Sequence, residues 1–457
     1  MKFAACLFFV ILLSIGAGAA EIFVPDDHAT IQDAIGAAAG GDTVIVRPGV
    51  YKENLDFLGK AIVVKSEKGA AVTAIDGDAA GDVVAFRSGE GVDSVLEGFT
   101  VRNGAGLVVW MLDPPNQTLY GGGVLCEQTS PTIVGNVIVE NWGSGIQCWA
   151  GSPAITGNII KENENFCGAG LACFDAAPLV TNNIIHANIA YFGGGAIWCA
   201  GPQCTPQITN NTIYGNSAVD YGGGVYCHTD ASPELANSIL WNNTAASGLE
   251  IALLNWASPS NLSADYSNVS GGIGGVYIGS GCTLNWGSSM ISLPPSFQEA
   301  SAGDFHLRWD SACRDAGDAA AAGLPAFDME GDPRTALGSA DMGADEFYYH
   351  LYHDGAVIPG STIDIKVAGW PAAPVVVALG AGIRHPPYST QHGDFHLLWP
   401  LLWQGALGAV PSSGILVHSA TVPLGWSTGD EYPFQALVGP WGGPYTELTN
   451  LMVLRVE

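Results

Sequence analysis

YGGGVLCEQTSPTIVGNVIVEN, residues 120–141, is the first of five variations on one pattern that runs to Thr244. Each unit has a glycine run, two or three apolar residues, a cysteine, a polar turn usually closed by proline, an asparagine, an apolar pair and a second asparagine. Aligned, the cysteines are Cys126, Cys148, Cys173, Cys199 and Cys227. The first asparagines are Asn136, Asn158, Asn183, Asn211 and Asn237, and the second, five residues on, are Asn141, Asn163, Asn188, Asn216 and Asn242. The steps between first asparagines are 22, 25, 28 and 26 residues, so the unit grows only by insertion between fixed points, the mark of stacked repeats.

The segments between markers are four to six residues long and rich in Gly, Asn, Val and Ile, too short for the helices of a helical solenoid. Leucine at several fixed positions, the sign of a leucine-rich repeat, is missing. What fits is a coil of short parallel strands, each turn hydrogen-bonded to the next at about 4.8 Å. Like side chains then stack. An asparagine amide carries donors and an acceptor, so an aligned column of them can satisfy the buried polar groups of a bend.

These units resemble those of secreted right-handed parallel β-helix proteins, the broad pectin-lyase-like superfamily, over residues 21–347. The resemblance implies an all-β solenoid and speaks to fold far more than to activity.

Residues 1–20 read as a cleaved secretory signal: one Lys, an apolar core from Phe3 to Ile15, then the small residues Ala17 to Ala20. Cys6 lies inside the apolar core, which argues against a lipoprotein anchor. Next come a strand at Ile22-Phe23-Val24, an amphipathic helix over Ala29 to Ala39 with Ile31, Ala34, Ile35 and Ala38 on one face, and a strand at Thr43 to Val46. A short helix across the open first coil covers it. This start also resembles that of extracellular β-helix proteins, pectin-methylesterase-like ones included.

Two or three coils without the asparagine pair are expected between Asn54 and Asn103, and further turns near Asn268 and from Gly275 to Leu284. Asp304-Phe305-His306-Leu307, Ser311 to Asp318 and Asp341 to Phe347 resemble the closing segment of many exported bacterial β-helix proteins and read as a carboxyl cap. From residue 348 to 457 strand-like runs alternate with Gly and Pro turns without any cysteine, which predicts a β-sandwich.

The formal charge is −28, yet only 13% of residues are charged and 15 are Lys or Arg, so the acidity comes from missing bases. That shortage of bases argues against nucleic acid as a partner. No run of membrane length follows the signal, so no membrane span is expected in the mature chain, which should be secreted or held at the cell surface as a monomer. Nine cysteines remain after cleavage. Five form a column one coil apart, where parallel Cβ vectors strain a bridge, so buried free thiols are expected there. Cys167, Cys199 and Cys204 are the better candidates for a disulfide.

A lyase on this fold needs a strong base and cations to neutralise a uronate, but between Asn103 and Leu307 the only Lys or Arg is Lys161. A glycoside hydrolase needs clustered carboxylates, whereas Glu127, Asp175 and Asp230 lie on non-adjacent coils. The paired-Asp and Gly-His-Gly signatures of polygalacturonase-like enzymes are missing, and an esterase-like site would want an Arg that the groove does not show. No catalytic residue is assigned.

With the cysteines pointing inward, period two sends Gln147, Trp198 and Tyr226 outward, followed by Glu127, Trp149, Phe174 and His228. Trp149, Phe174, Trp198 and Tyr226 would then share one exposed face suited to sugar rings, with Gln147, Glu127 and His228 as hydrogen-bonding neighbours. The alternative is that these rings pack on one another or under the insertion Val109 to Leu119. Asp328, Glu330, Asp332, Asp341 and Asp345 suit calcium as the one possible cofactor, although Asp-Gly turns paired with Arg314 or Arg334 explain them equally. His350, His353, Asp354, His392 and His396 are weighed for zinc and read as solvent-facing strand positions, and His186 as a turn residue.

The sequence therefore predicts an exported, noncatalytic β-helix binding carbohydrate or an extracellular protein along an aromatic face. The alternatives are a polysaccharide-active lyase or glycoside hydrolase, with Arg87 and Arg102 as the nearby bases, and a structural surface spacer.

Overall fold

Each repeat folds as one coil carrying three short strands, and like strands of successive coils pair in parallel into three walls. The computed structural model describes residues 19–110, 117–308, 310–335 and 339–347, and further on 351–354, 358–359, 361–368, 374–380, 383–390, 393–397, 401–409, 415–421, 423, 431–438, 447–448 and 452–455. Most of the expected leader lies outside the described residues. The first wall has eleven strands, from Glu21–Val24 to Thr283–Trp286. The second, between the two asparagine columns, has nine, from Gly49–Lys52 to Asn268–Val269. The third also has nine, from Leu55–Asp56 to Val276–Ile278, and carries the cysteines.

The register is the one that the cysteine alignment implies. Cys126 pairs with Cys148, then Cys173, Cys199 and Cys227 in turn. Inside the coil they face Ile133, Ile155, Val180 and Ile208 of the first wall and Ile138, Ile160, Ile185 and Ile213 of the second, all at most 1% exposed. Burying one such aliphatic side chain contributes roughly 1.5–3 kcal/mol. The glycine run has a steric cause: a Cβ on Gly123 would stand 2.4 Å from the Gly145 carbonyl and 2.9 Å from the Asn141 amide.

The predicted amino-terminal helix is Ile31–Ala37, capped by the Thr30 side chain, with Ile31, Ala34 and Ile35 buried against the first coils. All nine described cysteines are free. No disulfide forms among the candidates Cys167, Cys199 and Cys204: Cys167 packs outside the third wall beside Trp198, and Cys199 and Cys204 lie inside the coil as free thiols.

The asparagine ladders are present, with a one-residue correction in the fifth coil. The first runs Asn136, Asn158, Asn183, Asn211, each Nδ2 donating to the next Oδ1 at 3.0–3.1 Å until Ser238 takes the place expected for Asn237. The second runs Asn141, Asn163, Asn188, Asn216 and ends on Asn243 rather than Asn242. Asn237 (φ 48°) and Asn242 (φ 58°) instead occupy the left-handed position just before the ladder, which Gly135 and Glu140 hold in the first unit.

The expected carboxyl cap does not close the last coil. It doubles back along the outside of the middle coils. Phe305, Leu307, Cys313, Met342, Ala344 and Phe347 pack on Ile184 and Ile239, the outward residues of the second wall. Left-handed turn asparagines hold it: Asn182 Nδ2 donates to the Phe327 carbonyl at 2.7 Å, Asn210 to Asp341 at 2.9 Å and Asn237 to Asp318 at 3.0 Å.

From residue 351 the described strands pair antiparallel. Leu351–Asp354, Thr362–Ala368 and Ile415–Thr421 form one sheet, and Leu401–Ala409, Pro374–Gly380 and Glu431–Val438 the core of another.

Candidate ligand-binding face

The outer face of the third wall carries two columns of side chains. One reads Leu125, Gln147, Ala172, Trp198, Tyr226, Ala252 and the other Glu127, Trp149, Phe174, Ala200, His228. The predicted aromatic residues do share this face, but only half of it is open.

Trp198, Tyr226 and His228 are 1%, 0% and 2% exposed. The insertions of the third and fourth coils fold back as a narrow strip, Glu164–Cys167 pairing with Ile189–Gly193, and cover them together with Phe192, Tyr221 and Trp256. The approach is close enough that a Cβ on Gly193 would meet the Tyr226 ring at 2.6 Å. Trp198 Nε1 donates to His228 Nε2 at 2.9 Å, so the imidazole proton sits on Nδ1, 2.6 Å from Thr229 Oγ1. Burial pushes the His228 pKa down to about 3, and the ring is neutral. Gln147 is equally buried and accepts from the Gly121 N–H. These four residues are packing elements, and the expectation that they face a ligand is corrected.

The remaining half is a row of partly exposed rings. Tyr120 meets Trp149 edge-on at 5.5 Å, and Trp149 stacks on Phe174 at 4.3 Å and 23°. Tyr120 arrives on a hairpin, Leu107–Trp110 with Gln117–Tyr120, pinned where the Leu119 N–H donates to Asn165 Oδ1 at 3.0 Å. Charged groups stand at the amino-terminal end of the row. Burial and the Glu127 carboxylate, to which it is hydrogen-bonded, raise the Tyr120 phenol. Arg87 follows Phe86, the register partner of Cys126, and so stands one coil before Glu127 in the same column. Its guanidinium reaches Asp82 at 3.1 Å and Asp56 at 3.8 Å. Burial raises the Asp82 pKa against the pull of its Gly122 N–H bond and of Arg87. The groove thus has the arginine that the repeat alignment did not show. Arg87 lies in a coil without the asparagine pair, where only strand register could reveal the match.

Of the other carboxylates weighed for catalysis, Asp175 and Asp230 sit in left-handed turn positions away from Glu127, and Asp175 accepts from the Gln203 N–H. A second aromatic group escaped the sequence reading. Trp142 and Tyr191, 47% and 40% exposed, lie 5.9 Å apart with Phe166 beside Tyr191, and the Tyr191 hydroxyl bonds Glu164. Their positions just after a second-column asparagine, Trp142 directly and Tyr191 three residues on, are the only sequence signal they carry.

A groove of about 720 Å³ runs between the first wall and residues 318–322, with Gln207, Glu234, Asp265, Asn285 and Asp318 on its walls and no basic side chain among the described residues. His186 ends a second-wall strand edge-on to Phe305, and burial, with Lys161 nearby, lowers its pKa to about 4. His353, Asp354 and His396 lie on strands, while His350 and His392 fall outside the described residues.

Among the described residues, two groups of metal-capable side chains converge in the doubled-back segment: Asp328, Glu330 and Asp332, and His306, Glu330 and Asp345. Asp341 joins neither; its carboxylate accepts the Asp315 and Phe347 N–H groups at 2.6 Å. Burial disfavours charge on His306, but its bonds to Asp304 and Glu330 outweigh this and raise its pKa to about 11.

Residues 59–246 match the family described as "Protein of unknown function (DUF1565)", a parallel β-helix family. The match spans the early coils and the asparagine-paired coils, including Arg87, Glu127, Trp149 and Phe174. No curated protein matches the chain. Among the described residues no helix is long and apolar enough to cross a membrane.

Proposed function

We propose that this is an exported, noncatalytic glycan-binding β-helix whose ligand lies along the third wall, stacking on Trp149 and Phe174. The observation that carries the reading is the row Tyr120–Trp149–Phe174, partly open to solvent and flanked by Glu127 and Arg87. Pyranose rings present C–H faces to such rings and hydroxyls to such charged neighbours. Export rests on the leader-like first twenty residues. The test is a glycan-array screen of the mature chain beside Trp149→Ala and Trp142→Ala. Binding lost only with Trp149→Ala supports this site, and binding lost only with Trp142→Ala moves the site to the strip. No binding by the mature chain removes the proposal.

A second reading, a polysaccharide-active hydrolase, is favoured by Arg87 meeting Asp82 and Asp56 on the same face as Glu127. It predicts release of reducing ends or ester groups from a polysaccharide that Asp82→Asn abolishes while glycan binding persists.

A further inference from the structure

Asp304–Leu307 pairs antiparallel with Phe297–Glu299, so Phe305 and Leu307 turn to the core while Asp304 and His306 share the opposite face. The imidazole Nδ1 lies 2.5 Å from Asp304 Oδ1, and Nε2 points the other way, 2.7 Å from Glu330 Oε1. Behind Glu330 stands Asp345, 5% exposed. Its Oδ2 accepts the Leu307 N–H at 2.7 Å, but its buried Oδ1 has no hydrogen-bond partner among the described residues. One ligand atom each from His306, Glu330 and Asp345 lies within 4.8 Å of the others.

We infer that His306, Glu330 and Asp345 bind a divalent cation of the zinc class, with Asp304 as the outer carboxylate that orients the imidazole. The buried, unpartnered Asp345 oxygen converges with a Glu330 oxygen and a His306 ring nitrogen on one point, and a cation held there would satisfy it. One nitrogen and two carboxylates, with a carboxylate behind the imidazole, form the donor set of zinc-type sites. Calcium prefers oxygen donors alone. Asp328 is not available to such an ion: its Oδ1 takes the N–H groups of Glu330, Gly331 and Asp332, each at 2.9 Å, and its Oδ2 that of Glu346 at 3.0 Å. The ion ties together three stretches of the doubled-back segment, around residues 306, 330 and 345, where they lie against the second wall.

The test uses the mature chain freed of metal with a chelator, dialysed separately against Zn²⁺, Mn²⁺ or Ca²⁺, with bound metal measured by emission spectroscopy and melting followed by circular dichroism. Zinc should bind at about one equivalent per chain and raise the melting temperature. His306→Gln and Glu330→Gln should both lose it, and Asp304→Asn should weaken it on the order of 10–100-fold. Asp345→Asn keeps an acceptor for the Leu307 N–H and should also lose zinc; if it fails to fold, the exposed Glu330→Gln decides. No stoichiometric zinc on the mature chain, zinc retained by both His306→Gln and Glu330→Gln, or a preference for calcium would overturn the inference.

Discussion

Asn243 passes the second asparagine ladder to Glu250: its Nδ2–H donates to Glu250 Oε2 at 2.6 Å and its backbone N–H to Oε1 at 3.3 Å. A ladder of amides must end on an acceptor that offers no further amide. Here that acceptor is a carboxyl only 1% exposed. Burial raises its pKa from 4.5 to about 7, against the pull of the two Asn243 bonds.

The folded protein therefore holds a proton that the unfolded chain releases between pH 4.5 and about 7. The contribution of this group to stability is complete below pH 4.5 and is lost as pH rises through about 7. Its size is at most roughly 3 kcal/mol. Chemical denaturation at about pH 5 and about pH 8 should show greater stability at the lower pH, and Glu250→Gln should shrink the difference by roughly 2 kcal/mol. An unchanged difference would assign the slope to other carboxyls.

The one-residue correction in the fifth coil is testable with neighbouring substitutions. Asn243→Ala strips partners from the buried Asn216 amide and the Ile213 carbonyl and should cost at least about 3 kcal/mol. Asn242→Gly places glycine where φ is 58° and loses only the bond to the Tyr214 hydroxyl, so it should stay within about 1 kcal/mol of the parent. Equal losses in urea unfolding would contradict the assigned register.

Trp198→Ala should lower stability by about 3–5 kcal/mol, because it empties the middle of a buried aromatic cluster and leaves His228 Nε2 without its donor. Trp149→Ala, at the partly exposed end, should cost no more than about 2 kcal/mol. Melting curves of the two variants separate the packed half of the face from the open half.

Arg334 is fully buried and gives its guanidinium to Asn182 Oδ1 and the Ala344 carbonyl, both at 2.6 Å, with Glu346 at 3.5 Å. Arg334→Met takes the donor from those acceptors and the cation from beside the buried Glu346 carboxyl, which keeps only the Asp341 N–H, at a cost of about 3–5 kcal/mol. Limited proteolysis should then cut within residues 308–347 while the coils survive. Cleavage spread through the coils instead would mean that the segment is not a separate buttress.

Some of this was legible residue by residue. The inward column Cys126 to Cys227 and the ladders from Asn136 to Asn211 could be read from spacing, because parallel coils stack like on like. Spacing alone misplaces Asn237 and Asn242, because an asparagine suits both the left-handed turn and the ladder beside it; the doublets Asn182-Asn183 and Asn210-Asn211 carry the distinction. The covering of Trp198 and Tyr226 could not be read, since period two says which wall a side chain leaves and nothing of what lies over it.

The sequence by itself determined the solenoid, its inner columns and its capping helix, because those follow from local spacing repeated at a fixed interval. Only the tertiary structure decided which aromatic rings stay open, that Arg87 stands beside Glu127, and that His306, Glu330 and Asp345 meet. These relations join residues from different coils or from the doubled-back segment. Their distances depend on how insertions of unequal length fold across the walls, and no periodicity in the chain encodes that.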